Sequence, residues 1–229
     1  MYEQVFNLTS RPFTSMHYVK HYFPAKDIDQ TLQMCTLIID RGTGPVVVVG
    51  DHGTGKTLLL AMLEETFKTK FGVVNISATG IHNREDLLQN ILYQLKLPNR
   101  ELSENNMRMD LAEYLQKDEG SGIVMMVDDA QKLDCECIEE LQMLLDNIRE
   151  GSPHVRLVLA GSRKLEDRLA DNRLVAFNQR IAGRGFLDCL SRDETEAYVR
   201  AHLERAGGKP DELLSKAVSY THLTLPTKA

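Results

Sequence analysis

One octapeptide constrains this chain more than any other feature. Gly50-Asp51-His52-Gly53-Thr54-Gly55-Lys56-Thr57 fits G-x-x-x-x-G-K-[ST] at every fixed position. Such a match arises by chance in a chain this long on the order of one time in a hundred. Val46-Val47-Val48-Val49 precedes it, an apolar β-branched run flanked by glycines, which reads as a strand buried on both faces. Leu58 to Phe67 follows with helical spacing. Glycines in such a loop let successive N–H groups turn toward a phosphate, and the helix N-terminus adds a favourable dipole. Lys56 is expected to reach the β- and γ-phosphates, and the Thr57 hydroxyl to ligate Mg²⁺. The expected nucleotide contacts are Gly50, Asp51, His52, Gly53, Thr54, Gly55, Lys56, Thr57 and Leu58.

The alternation continues along the chain. Ile28 to Ile39 is helical before the first strand. Val73 to Ser77, Ile123 to Val127, Val155 to Ala160 and, more weakly, Phe186 to Leu190 read as strands. Helices fall between them at Arg84 to Leu95 (Asn83 the N-cap), at Glu104 to Gln116, and through Ile138, Leu141, Leu144, Leu145 and Ile148. Ser191 with Glu194 is a capping-box signature, and Gly207-Gly208 stops the helix it opens. Strands alternating with helices imply crossover units, hence an α/β fold with a parallel sheet covered on both faces.

Two further places carry chemistry. Ile123 to Val127 ends in Asp128-Asp129. Taken alone, that acidic pair reads as a helix cap. Beside a phosphate loop, Asp128 is expected to hold the Mg²⁺ and Asp129 to polarise the attacking water. One strand separates the two motifs, as in the phosphate-loop branch that carries its catalytic acid next to the metal-binding Asp. Ser162, after the fourth strand, is placed to touch the γ-phosphate or orient water. Arg173, Arg180 and Arg184 follow. An arginine projected into a neighbouring subunit's site would stabilise charge on the transferring phosphoryl group, and Arg180 is the first choice, Arg184 the second. The plainer reading of each is a solvated or paired surface residue.

Composition narrows the partners. Asp and Glu outnumber Lys and Arg by 33 to 27 in 229 residues, a net charge of −6, which argues against a surface built to neutralise nucleic-acid backbone while permitting a local basic patch. The four cysteines show no C-x-x-C pairing, and Cys135-x-Cys137 lacks a second ligand pair. No signal peptide and no apolar run of about eighteen residues is present, so the expected location is the cytoplasm. The terminal string Ser219 to Ala229 breaks the helix begun at Asp211 and resembles a translated adapter sequence. It is set aside from fold reasoning, with a frayed terminus as the alternative and a natural chain continuing past residue 218 as the expectation.

The residues then carry a resemblance. Arg11-Pro12-Phe13, Val46 to Thr57, Val127-Asp128-Asp129-Ala130-Gln131, Leu157 to Gly161 running on to Leu165, and Gln179-Arg180-Ile181 resemble the ExeA/GspA-type AAA+ ATPases of bacterial general (type II) secretion and their TniB-like transposition relatives. Residues 1 to about 218 are covered. The resemblance implies a three-layer αβα core with five strands in the order 5-1-4-3-2, a small helical lid, ATP between the two, and an oligomer with arginine acting in trans. It divides the chain into an N-terminal segment and helix (1–45), a core (46–190), the start of a lid (191–218) and the tail (219–229). Phe13 is either a contact near the adenine or a core residue. Related ATPases place Glu where Asp129 stands. Asp is one methylene shorter, about 1.5 Å less reach, and a misplacement of about 1 Å can cost 10²-fold in rate.

The leading expectation is therefore an ATP-hydrolysing AAA+ protein that couples nucleotide state to oligomer assembly or remodelling in secretion or the cell envelope. In the full-length protein it would work at the cytoplasmic side of the inner membrane. The alternatives are a DNA-associated regulator of transposition or replication type, drawing on basic residues between Arg163 and Arg205, and an ATP switch with slow turnover.

Overall fold

The computed structural model describes residues 8–13, 19, 22–97, 103–117, 122–146, 148–149, 152–153 and 155–213. The elements begin with α1 (Lys26–Arg41), β1 (Val46–Gly50), α2 (Lys56–Phe67), β2 (Gly72–Ser77), α3 (Arg84–Gln94) and α4 (Glu104–Lys117). They continue with β3 (Ile123–Asp128), α5 (Cys135–Leu145), β4 (Val155–Gly161), α6 (Lys164–Leu169), α7 (Val175–Arg180), β5 (Gly183–Leu187), α8 (Arg192–Arg205) and α9 (Pro210–Leu213). A run of valines with no polar alternation has no solvent face, and β1 is buried along its whole length. It lies parallel between β4 and β5. The sheet order is β2-β3-β4-β1-β5, the expected order read from the other edge.

Side chains alternate across the sheet and set the layers. Val47, Val49, Val74, Ile76, Ile123, Met125, Val127, Leu157 and Leu159 form one core with α3, α4, α5, α6 and α7. Val46 and Val48 stand in register with Gly183 and Gly185 of β5 on the opposite face. There α1 presses so close that a Cβ on Gly183 would meet Ile38 and Met34, and one on Gly185 would meet Thr31. That packing corrects the fifth strand. The sequence places it at Phe186 to Leu190, but it runs from Gly183 to Leu187. Glycines weaken a strand by propensity, yet here they admit the helix.

Two other boundaries move. α2 starts at Lys56, inside the loop motif, with Gly55 as its left-handed N-cap. α5 ends at Leu145, and Ile148 joins a two-residue antiparallel ladder with Pro153 instead of continuing the helix. Asn83 caps α3 as expected, its side chain accepting from the Asp86 N–H. Arg108 of α4 pins α5 by two bonds, 2.7 and 2.6 Å, to the fully buried carboxylate of Glu140.

Contacts divide the described residues into two compact units, those within 27–188 and those within 1–26 and 189–229. The expected grouping of 1–45 thus splits, and α1 goes with the larger unit. In the smaller unit, Ser191 and Glu194 form the capping box of α8, and Gly207 follows that helix with φ 81°. Phe13 is 46% exposed, with its ring 5.8 Å from His202 and 6.3 Å from Tyr198, so it is not a core residue. Phe6, Tyr18, residues 214–218 of the expected lid and the tail 219–229 lie outside the described residues. No described helix is long and apolar enough to cross a membrane.

Candidate functional site

The loop between β1 and α2 is organised by its main chain. Gly50, buried at the end of β1, has no room for a side chain: a Cβ would lie 2.5 Å from Thr54 Oγ1 and 2.6 Å from the Leu187 carbonyl oxygen. Gly53 and Gly55 have φ of 82° and 96°, a region that L side chains disfavour. Thr54 folds back, its hydroxyl donating to the Asp51 carbonyl at 2.9 Å. Asp51, His52 and Gly53 are exposed, Thr54, Gly55 and Leu58 half-buried. Lys56 is buried and donates to the carbonyls of Gly50 (2.8 Å) and Asp51 (2.7 Å). Burial pushes the Lys56 ammonium below the ordinary lysine range, while Asp128, Asp129 and Asp51 act the other way. Among the described residues both its bonds go to main-chain oxygens and none to a carboxylate, so a bound anion would find this cation available.

Chain-distant residues meet here. Because β3 is separated from β1 only by β4, the end of β3 faces the first turn of α2. The Thr57 hydroxyl donates to Asp128 Oδ2 at 2.6 Å, across 71 positions of sequence. Asp128 Oδ1 accepts the Asp129 N–H at 2.9 Å. A hydroxyl and a carboxylate form the all-oxygen donor set that a hard cation such as Mg²⁺ prefers, so these residues fit the ion the motif calls for.

Asp129 is held quite differently. Its backbone is left-handed, φ 56° and ψ 32°, as Asp tolerates better than most residues. Oδ2 accepts from Lys132 Nζ at 2.7 Å and lies 3.5 Å from the Thr79 hydroxyl, and Oδ1 accepts from Gln131 Nε2 at 3.2 Å. Lys132 also donates to Thr79 Oγ1 at 2.7 Å. The Lys132 bond is the main reason that the Asp129 carboxyl sits below the usual carboxylate range, against the opposing effect of burial. Ser162 joins through its backbone, donating its N–H to Gln131 Oε1 at 3.0 Å.

The structure therefore gathers Lys56, Thr57, Asp128, Asp129 and, through Gln131, Ser162. The arginines bond elsewhere. Arg180 pairs with Asp146 at the end of α5, Arg184 with Glu166 and Asn178, and Arg173 with Asp171. Sequence reasoning assigned no role to Gln131, Lys132 or Thr79. The available signal was position: Gln131 and Lys132 follow the acid within one turn, and Thr79 lies just past Ser77, which pairs in register with Asp128.

Comparison with known proteins adds the following. The family model described as an AAA domain matches residues 39–169. General secretion pathway protein A of Aeromonas hydrophila is 28% identical over 225 residues, 97% of this chain and 41% of that protein, in line with the ExeA/GspA-type resemblance. Among solved structures, the Aeropyrum pernix ORC2 protein in ADPNP–ADP complexes is similar with a TM-score of 0.62 and 18% identity, over 83% of this chain and 53% of that one. The Aeropyrum pernix ORC1 protein in complex with DNA gives 0.63 and 15%, over 84% and 52%. At these identities the structural matches speak for the fold. The chain spans about two fifths of its curated relative and about half of these structures.

Proposed function

Because the chain belongs to the AAA domain family, the ATPase fold of which residues 39–169 form the matched part, we propose that it binds ATP with Mg²⁺ at Gly50–Leu58 and hydrolyses it. On this reading, nucleotide state drives assembly or remodelling of an oligomer serving secretion or the cell envelope, from the cytoplasm. The observation that carries the chemical part is the 2.6 Å contact of Thr57 with Asp128 beside the buried Lys56. It joins the phosphate loop to an acidic pair that alone would read as a helix cap.

The loop N–H groups and the α2 N-terminus hold the phosphates, and Lys56 exchanges its carbonyl partners for phosphate oxygens. Thr57 and Asp128 would hold Mg²⁺, which when bound would neutralise phosphate charge. Asp129 accepts the proton of the attacking water as the bond to phosphorus forms and the bond to ADP breaks. Ser162 orients that water. Arg180, supplied by a neighbouring copy, stabilises the transferring phosphoryl group, which requires it to leave Asp146. The ORC2 neighbour's adenine-nucleotide complexes and the likeness to a general secretion protein support the reading.

Turnover per subunit measured against protein concentration tests it, with ATP binding measured alongside. Turnover should rise with concentration and fall by about 10³-fold or more in Arg180→Ala. Concentration-dependent turnover that survives Arg180→Ala removes the trans assignment. ATP binding that survives Lys56→Ala removes the site.

A second reading is a slow-turnover ATP switch, favoured by the short Asp129 side chain and its pairing with Lys132 at 2.7 Å. Asp129→Glu should then raise the rate; an unchanged rate means that the short carboxylate is not limiting. A DNA-associated role draws on the ORC1 complex, but Arg163, Arg173, Arg180, Arg184 and Arg200 all pair with carboxylates of this chain. Binding of duplex DNA that weakens steeply with salt would favour it, and no binding at low salt would end it.

A further inference from the structure

The turn after β3 places one side chain between two residues of the proposed hydrolytic site. Gln131 lies in the 3₁₀ turn Ala130–Lys132, and its carboxamide is used at both ends. Nε2 donates to Asp129 Oδ1 at 3.2 Å, and Oε1 accepts the Ser162 N–H at 3.0 Å. β3 and β4 are neighbours in the sheet, so this amide spans the gap between their adjacent ends. Gly161 makes the space: a Cβ there would sit 2.7 Å from Gln131 Oε1. The second Asp129 oxygen is taken by Lys132, which leaves Gln131 as the group that fixes the carboxylate against β4.

We propose that Gln131 is a positioning residue for ATP hydrolysis, holding the Asp129 carboxylate and the Ser162 backbone in one fixed arrangement. An uncharged amide suits the task because it donates at one end and accepts at the other. A carboxylate of the same length cannot donate to Asp129, and a thioether of the same length makes neither bond. The role matters more for Asp than for a longer acid, since a short side chain cannot recover its place by reorienting. The inference rests on the reading of Asp129 as the acceptor of the water proton.

Full-length chain carrying Gln131→Met or Gln131→Glu tests it, with wild type and Lys56→Ala as references. Steady-state ATP turnover is measured beside equilibrium binding of ATP. Both variants should lose kcat on the order of 10- to 100-fold, with ATP affinity within about twofold of wild type, since neither bond belongs to the phosphate loop. A merely structural role would lower affinity and kcat together. The proposal is overturned if either variant keeps wild-type kcat, or if affinity falls in step with kcat. A wild type that turns over no faster than Lys56→Ala overturns the hydrolytic reading, and this role with it. The two failures are therefore distinguishable.

Discussion

The loop before α2 and the turn after β3 hold their charged groups by opposite means. Lys56 is buried and bonded to carbonyl oxygens of its own loop, while Asp129 is one-third exposed and bonded to the side chains of Gln131 and Lys132. A main-chain cradle depends on glycine at fixed positions and leaves a fixed pattern in the sequence. A side-chain cradle depends on which residues happen to lie within reach, and leaves none. The first half is rigid in composition, the second in geometry.

Replacing the acid should give the largest effect. Asp129→Asn removes the proton acceptor and is expected to lower kcat by about 10²- to 10⁴-fold while ATP still binds, as steady-state kinetics beside equilibrium binding will show. Lys56→Ala attacks the other half and should lower kcat/KM by about 10²- to 10³-fold, with binding lost as well. If the two variants share one kinetic signature, the division of labour between loop and turn is wrong.

Gly50→Ala asks whether the main-chain cradle tolerates even a methyl group. The new Cβ meets Thr54 and the Leu187 carbonyl, so a stability loss of about 1–3 kcal/mol is expected in denaturant unfolding. A neutral substitution would mean that the loop relaxes freely.

Lys132→Met should have the smallest effect. Both partners of the Lys132–Asp129 pair are partly exposed, at 47% and 33%, and such pairs contribute less than about 1 kcal/mol. The Asp129 carboxyl is held below its ordinary value. Its stabilising contribution is therefore complete above the unfolded carboxylate value, near 3.8, and is lost as pH falls through the lower folded value. The gap in Tm between wild type and Lys132→Met should persist from neutral pH down to about 4 and close below it. A gap that widens in acid would reverse the assignment.

The same contrast explains what the sequence made legible. The valine run, the loop glycines and the capping signatures at Asn83 and Ser191 are local rules written in adjacent residues, whereas the sheet order was available only through the family resemblance. The start of β5 was hidden because Gly183 and Gly185 answer to α1, a partner more than 140 positions away. The end of α5 was hidden because Ile148 keeps the apolar period of a helix that has already stopped. The resemblance left Phe13 between an adenine contact and a core residue, and the residue is 46% exposed beside Tyr198 and His202. In the site, Asp128 and Thr57 could be paired from motif knowledge, whereas the Gln131 bridge needed β3 and β4 to be adjacent in space.

The central claim is that loop and turn make one ATP-hydrolysing, Mg²⁺-dependent site. A double-mutant cycle on Mg²⁺-dependent ATP turnover with Thr57→Val, Asp128→Asn and the pair tests it most directly. The predicted result is a loss of about 10²-fold or more in each single variant, with the double variant scarcely worse than either. Independent, additive losses, or turnover that survives Asp128→Asn, would contradict it.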